Sequence, residues 1–348
     1  MITELISMSV PEEAERGLAK AAELFEKGEV VAFPTETVYG LGASVRSEEG
    51  LRKIFEAKGR PSDNPLIVHV YPGYDLSDIV SDITPQAREL MDRFWPGPLT
   101  LIFPKAPGVS DRVTAGLSTV AVRMPSHPVA MAMLQRAGVG IAAPSANRSG
   151  RPSPTTAAHV MEDMEGRIPL ILDGGSAEVG LESTIVDMTV EPPMLLRPGG
   201  IPAEAVREII PDLLIDPGLK PASDVTPKAP GLKYRHYAPK APAFMALGSP
   251  DEQETAIRKA LEEASGKKRG VLTTNEHAGD YDAETVISVG AASSKAEMSA
   301  HLFDALRQFD HEGCEVIFCE TTTETGLGLA YMNRLRKACG GKTLPSAE

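Results

Sequence analysis

Cysteine is scarce: Cys314, Cys319 and Cys339 are the three in 348 residues, without Cys-x-x-Cys spacing or a nearby pair of histidines. A disulfide framework or a structural zinc site therefore has no basis. Long apolar runs are missing too, since none approaches the roughly 20 residues a membrane-spanning helix needs. Positive charge is not in excess. The formal net charge of −13 argues against a protein that coats nucleic acid by bulk electrostatics, so any basic site has to be local. The opening stretch MITELISMSVPEEAERGLAK is acidic and amphipathic and carries no basic region ahead of a small-residue cleavage site. No signal peptide is read from it, and the cytoplasm is the expected location.

Several catalytic signatures are absent as well. The stretch ACGGKT imitates a phosphate-binding loop but has Arg336 where the first glycine belongs, and no strand precedes it. GLGASV and GLGLAY fail the dinucleotide fingerprint at its third glycine. Neither a Gly-x-Ser-x-Gly elbow nor zinc-type histidine spacing occurs, which leaves covalent hydrolase and metallohydrolase chemistry without support.

What is present is a chain with ample apolar content for a large core: 42% hydrophobic against 24% charged residues, at a length that favours two domains. Residues 11–27 read as a helix closed by Gly28, followed by the strand EVVAFP. Helix SEEGLRKIFEAK precedes strand PLIVHV, helix TPQARELMDRFW precedes LTLIFP, and STVAVR, HPVAMAMLQRAG and VGIAAP continue the alternation. This rhythm predicts an α/β domain around one twisted sheet over 1–215. Residues 216–242 carry a proline every few positions and read as a semi-stiff linker. Beyond it, AFMALG, GVLTT, TVISV and EVIFCE alternate with helical stretches, predicting a smaller doubly wound α/β domain over 243–348.

Within the first domain, FEAKGRPSDNPLIVHV puts Lys58 and Arg60 two apart. If extended, both side chains face one side of the strand entrance, stiffened by Pro61 and Pro65, where they suit a di- or triphosphate. A solvated helix C-terminus, its cations meeting the dipole, is the competing reading. GIAAPSANRSGRPSPT repeats that spacing with Ser145 and Asn147 beyond an apolar strand end, and Ser153 further on. These groups suit phosphate oxygens or a base edge, or plain turn chemistry. In VVAFPTETVYGLGA, Thr35 and Thr37 flank Glu36, and Tyr39–Gly42 is read as a tight backbone path. Trp95, the single tryptophan, reads as a core anchor. Arg123 and Arg197 end strands and read as anion clamps or as surface residues. The linker run Tyr234-Arg235-His236-Tyr237 is more than a tether requires and is read as a lid folding over the site, or as a docking contact for the linker.

These motifs together, Lys58-Gly-Arg60 and Ser145-Ala-Asn147 with FPTETVYGLGA, DNPLIVHV, WPGPLT, VAVRMPSHP, GLESTIVD and LLRPGG, resemble the YrdC-like domain of the threonylcarbamoyl-AMP synthases over about the first 210 residues. APGLKYRHYAP and GLGLAYMNRLRKA resemble the linker and second domain of that family's long form. The resemblance implies an N-terminal YrdC-like twisted-sheet α/β domain with a concave active site and a smaller C-terminal Rossmann-like α/β domain. It also implies a nucleotidyltransferase that makes threonylcarbamoyl-AMP and pyrophosphate from L-threonine, bicarbonate or CO2, and ATP. A downstream complex would then use the product to modify tRNA with threonylcarbamoyladenosine. By the same resemblance Thr35, His69, Arg123 and Ser183 form the threonine pocket. Lys58, Arg60, Asn64, Thr119, Ser145, Asn147, Ser153, Arg197 and His236 form the ATP side, with Lys58, Arg60, Ser145 and Asn147 nearest the chemistry. Mg2+ would enter with ATP, with no metal held by the protein alone and no organic cofactor. Without the family context His69 reads as a core-edge histidine. Two other readings stand beside this one: an RNA-binding module, weak RNA contact being compatible with a local basic site, and an enzyme forming a carbamoyl adenylate. A monomer is expected.

Overall fold

The computed structural model describes residues 1–59, 61–219 and 236–345. They divide into two compact units. Unit 1 takes the described parts of residues 1–149, 153–178 and 182–233; unit 2 takes 150–152, 179–181 and the described part of 234–348.

Unit 1 is built on an eleven-stranded mixed sheet. In chain order its elements are β1 (Glu4–Ser7), α1 (Pro11–Glu26), β2 (Val31–Phe33), β3 (Gly40–Ser44), α2 (Glu48–Lys58), β4 (Ile67–His69), α3 (Pro85–Phe94), β5 (Leu99–Pro104), α4 (Asp111–Thr114), β6 (Thr119–Arg123), α5 (Pro128–Ala137), β7 (Ile141–Ala143), α6 (Ala157–Met164), β8 (Leu170–Asp173), β9 (Thr184–Asp187), β10 (Met194–Arg197), α7 (Ala203–Arg207) and β11 (Leu214–Ile215). Across the sheet the order is β1-β8-β2-β3-β7-β4-β6-β5-β9-β10-β11. Strands distant in sequence therefore lie side by side at its centre.

Local chemistry explains the helix bordering the site. Ser47 caps α2 by accepting the Gly50 amide, and Glu48 and Glu49 favour the positive end of the helix dipole. Leu51, Ile54 and Phe55 form the apolar stripe, each contributing about 1.5–3 kcal/mol through burial. Gly59 ends the helix at φ 61°, a left-handed conformation that glycine adopts without steric cost. Lys58 is thus the last helical residue, as the helix SEEGLRKIFEAK predicts; of the two readings of Lys58 the helix C-terminus holds and the extended one does not, because glycine C-capping decides the path there. Of Tyr39–Gly42, expected to form a tight backbone path, Gly40–Gly42 open the buried strand β3. A side chain at Gly42 would sit 2.8 Å from the Phe33 ring, so the absence of one keeps β3 flat against its neighbours.

Two apolar layers sandwich the sheet. One face packs Ala32, Leu41, Val68, Val122, Leu101 and Val186 into the main core with Leu51 and Ile54 of α2, Leu90 of α3 and Val160 of α6. On the other face, Phe25 of α1 and Met133 and Leu134 of α5 cover Val31, Phe33, Ile141 and Leu172.

Unit 2 has a four-stranded all-parallel sheet ordered β12-β15-β13-β14, formed by β12 (Ala243–Met245), β13 (Arg269–Thr273), β14 (Thr285–Ser288) and β15 (Val316–Cys319). Its helices are α8 (Pro250–Glu263), α9 (Lys295–His311) and α10 (Leu327–Ala338). Ser249 and Glu252 close a reciprocal capping box at the start of α8. At the carboxyl ends of the strands, the buried Glu320 carboxylate accepts hydrogen bonds from Thr273 and Tyr281, and His277 approaches to 2.8 Å. Among the described residues no helix is long and apolar enough to cross a membrane.

Candidate functional site

Where α1 and α5 no longer cover the sheet, its second face carries a small apolar cluster of Ile67, Ala121, Ile102, Ile185 and Leu196. Side chains two apart on a strand share a face. His69 follows Ile67, Arg123 follows Ala121, Thr100 precedes Ile102 and Ser183 precedes Ile185 by that interval. Register brings these together: His69 lies opposite Arg123 across β4 and β6, and Arg123 opposite Thr100 across β6 and β5. A row of polar groups thus stands at one end of an apolar floor.

Arg123 is almost wholly buried and held from three sides. Its Nε donates to the Gly97 carbonyl at 3.3 Å, Nη1 donates to Thr37 Oγ1 at 2.8 Å, and Nη2 lies 2.7 Å from Glu36 Oε1. Thr35 spends its hydroxyl within its own loop, donating to the Val38 carbonyl at 2.6 Å and accepting the Thr37 and Val38 amides. Its neighbour Thr37 is the residue that reaches Arg123. The Thr100 and Ser183 hydroxyls are 2.7 Å apart, and Arg197 donates to the Ser183 carbonyl at 2.9 Å and to its hydroxyl at 3.0 Å. Arg197, expected on the ATP side, is thus bonded to Ser183, a residue expected in the threonine pocket.

Electrostatics set the protonation states here. Burial, reinforced by the Arg123 charge, pushes His69 down to about 3, so the ring is neutral near pH 7. Its Nδ1 lies 3.0 Å from the Ile67 carbonyl, which can only accept, placing the ring proton on Nδ1. Burial raises the Glu36 carboxyl, but the Arg123 charge 2.7 Å away outweighs it and holds the group below the usual range. It is ionised.

The second group of candidates lies at the other end of the same strands. Because Ile67 pairs with Ala121, Thr119 and the Asn64–Pro65 turn precede the floor while His69 and Arg123 follow it. Four residues of strand separate Thr119 from Arg123, about 13 Å. Lys58 leaves α2 to enter the Ser145–Asn147 loop, where Nζ donates to the Ser145 carbonyl and to the Asn147 carbonyl at 2.6 Å. Ser145 donates to Asn147 Oδ1 at 2.6 Å. This loop meets the Thr35–Tyr39 loop through a Gly40–Ser145 bridge and the Ala146 amide bonded to the Tyr39 carbonyl at 2.8 Å. Ser153 is fully buried and donates to Glu182 at 2.6 Å.

Two further sequence candidates are Arg60 and His236. Arg60 lies outside the described residues, as do residues 220–235 of the linker. His236 belongs to unit 2, beside Tyr237, whose ring stacks on Phe303 at 5.0 Å. Sequence reasoning gave no role to Glu36, Thr37 or Thr100. The Thr-Glu-Thr run was a visible signal for the first two, whereas Thr100 is identified only by the strand register that sets it against Arg123.

Comparison with known proteins follows the two-part division of the sequence. Residues 23–199 match the Sua5, YciO and YrdC family described as telomere recombination, and residues 201–340 match a family described as the C-terminal domain of threonylcarbamoyl-AMP synthase. The chain is 48% identical to a Bacillus subtilis threonylcarbamoyl-AMP synthase over 99% of its own length and 97% of the relative's. It is also 48% identical to one from Pyrococcus abyssi, covering 92% and 93%. The crystal structure of P. abyssi Sua5 complexed with L-threonine superposes with a TM-score of 0.92 at 46% identity, covering 99% of both chains.

Proposed function

The chain belongs to the threonylcarbamoyl-AMP synthase family in its two-domain form, and from that premise we propose how its residues divide the work of the synthase reaction. Its activity is that of a threonylcarbamoyl-AMP synthase, and we infer that it binds ATP together with the L-threonine seen in the P. abyssi Sua5 complex and serves formation of threonylcarbamoyladenosine in tRNA. In our reading threonine occupies the Arg123 end of the apolar floor. Arg123 takes the α-carboxylate, while His69, Ser183 and the Thr35–Thr37 loop shape the pocket around the rest. The nucleotide lies toward Lys58, Asn64, Thr119, Ser145, Asn147 and Ser153. Arg197, bonded to Ser183 at the threonine end, is assigned to the phosphates.

The carrying observation is the spacing. Two polar groups about 13 Å apart on one strand face suit an elongated pair of substrates, the amino acid at one end and the nucleotide at the other. Carboxylation of the amine gives N-carboxy-threonine. Its new carboxylate attacks the α-phosphorus of ATP, a P–O bond forms, and the bond to the β-phosphate oxygen breaks to release pyrophosphate. Positioning and positive charge supply the catalysis, since no covalent enzyme intermediate is needed. Among the described residues no three His, Cys, Asp or Glu side chains group as a metal site. We assign Mg2+ to ATP itself, with phosphate oxygens and water as ligands. The product is an activated acyl adenylate, and its consumer is proposed to be a separate tRNA-modifying complex.

Steady-state kinetics test the division. Asn147→Ala should raise KM for ATP and leave KM for L-threonine unchanged, and Ser183→Ala should do the reverse. Equal effects of both variants on both substrates would refute the assignment.

A further inference from the structure

The Glu36–Arg123 pair is close but badly aligned, and that misalignment carries information. Glu36 is 5% exposed and its Oε1 lies 2.7 Å from Arg123 Nη2, yet neither carboxylate oxygen and not Nη2 has a partner in hydrogen-bonding geometry among the described residues. The two charges neutralise one another while their directional capacity stays unspent. Buried polar groups in that condition are costly and uncommon. A zwitterion supplies both complements, an ammonium with three donors for the carboxylate and a carboxylate for the guanidinium.

We propose that Glu36 receives the α-ammonium of the substrate threonine and takes its proton as the amine is carboxylated, with Arg123 beside it on the α-carboxylate. The inference rests on the threonine-end assignment above. The step balances as follows. One ammonium proton passes to Glu36, and the freed nitrogen lone pair forms the N–C bond to bicarbonate. A bicarbonate C–O bond breaks, and its hydroxide leaves as water with a second nitrogen proton. N-carboxy-threonine remains and Glu36 later returns its proton to solvent. The neighbours do not compete for this role. His69 is held neutral with its Nδ1 proton directed at Ile67, the Thr35 hydroxyl is spent on its own loop, and His127 Nδ1 accepts the Val129 amide at the start of α5.

Calorimetric binding to the full-length chain separates this from a purely structural ion pair. The ligands are L-threonine and 2,3-dihydroxybutanoate, which keeps the carboxylate and side chain but replaces the ammonium with a hydroxyl. Glu36→Gln should weaken L-threonine about 30-fold, the scale of a hydrogen bond to a charged group, and leave the dihydroxy acid unchanged. Equal weakening of both ligands, or of neither, overturns the proposal. Should the Gln variant fail to fold, Glu36→Asp, which withdraws the carboxylate by one methylene, is expected to weaken L-threonine alone, and equal effects there overturn it too. Wild-type protein that binds neither ligand would defeat the threonine-end assignment itself. Wild-type protein that binds threonine, with a Gln variant that binds it equally well, would defeat only the role of Glu36.

Discussion

His69 makes the stability of unit 1 depend on pH in a window where most carboxylates are silent. The folded ring titrates at about 3 against 6.5 for an ordinary histidine, because burial and the adjacent Arg123 oppose a second positive charge. A depressed histidine stabilises the fold fully above its unfolded value, and that contribution is lost as pH falls from 6.5 toward 3, since the unfolded chain takes up the proton first. Between pH 7.5 and 5 the loss is about 2 kcal/mol, from about 1.4 kcal/mol for each pH unit below 6.5. With a urea slope of about 3 kcal/mol/M, the midpoint moves down by roughly 0.7 M. Trp95 is the single tryptophan and lies in unit 1, its indole donating to the Leu99 carbonyl at 2.7 Å, so its fluorescence reports that unit. His69→Asn removes the titrating ring, and only the difference in pH slope between variant and wild type matters. Parallel slopes between pH 7.5 and 5 would refute the reasoning.

Three further outcomes follow from the same geometry. Arg123→Met should destabilise unit 1 by about 3–5 kcal/mol at pH 7 by leaving Glu36 buried without its cation. The pH slope should also reverse. The wild-type Glu36 contribution is present above about 4.5 and lost below it, whereas in the variant burial raises the carboxyl and acid becomes stabilising; urea midpoints at pH 4.5 and 7 measure both. Lys58→Met should lower pyrophosphate release by about 100-fold or more, with a stability cost of about 1–3 kcal/mol from the Ser145 and Asn147 carbonyls it leaves, read by turnover and urea unfolding. In unit 2, Tyr281→Phe removes a donor from the buried Glu320 carboxylate and should cost about 1.5–3 kcal/mol, seen as faster hydrogen exchange in β15.

Much of this was legible along the chain and some was not, for physical reasons. The alternation of helix and strand was readable because burial imposes periods of 3.6 and 2 on local sequence, and α2 with its Ser47 cap and Leu51–Ile54–Phe55 stripe is the clearest case. At Lys58 the sequence leaves two readings open, a strand entrance and a helix end, and one left-handed residue, Gly59, decides for the helix end. β1 escaped notice because a four-residue strand at the sheet edge, with Leu5 exposed, has too few positions to show a period. The neighbours of Arg123 could not be read at all. Thr37, Glu36 and Thr100 reach it from other strands and loops, and such register is a property of the folded sheet. The family motifs nevertheless marked Thr35 and Arg123 as candidates, while the charge pairing of Arg123 with Glu36 came only from the structure.

The most direct measurement is pyrophosphate release from ATP by the purified full-length chain, with L-threonine and bicarbonate supplied together and each omitted in turn. The account predicts release only when both are present, with threonylcarbamoyl-AMP formed in equal amount. Release without threonine, or none with all three substrates in folded protein, would contradict it.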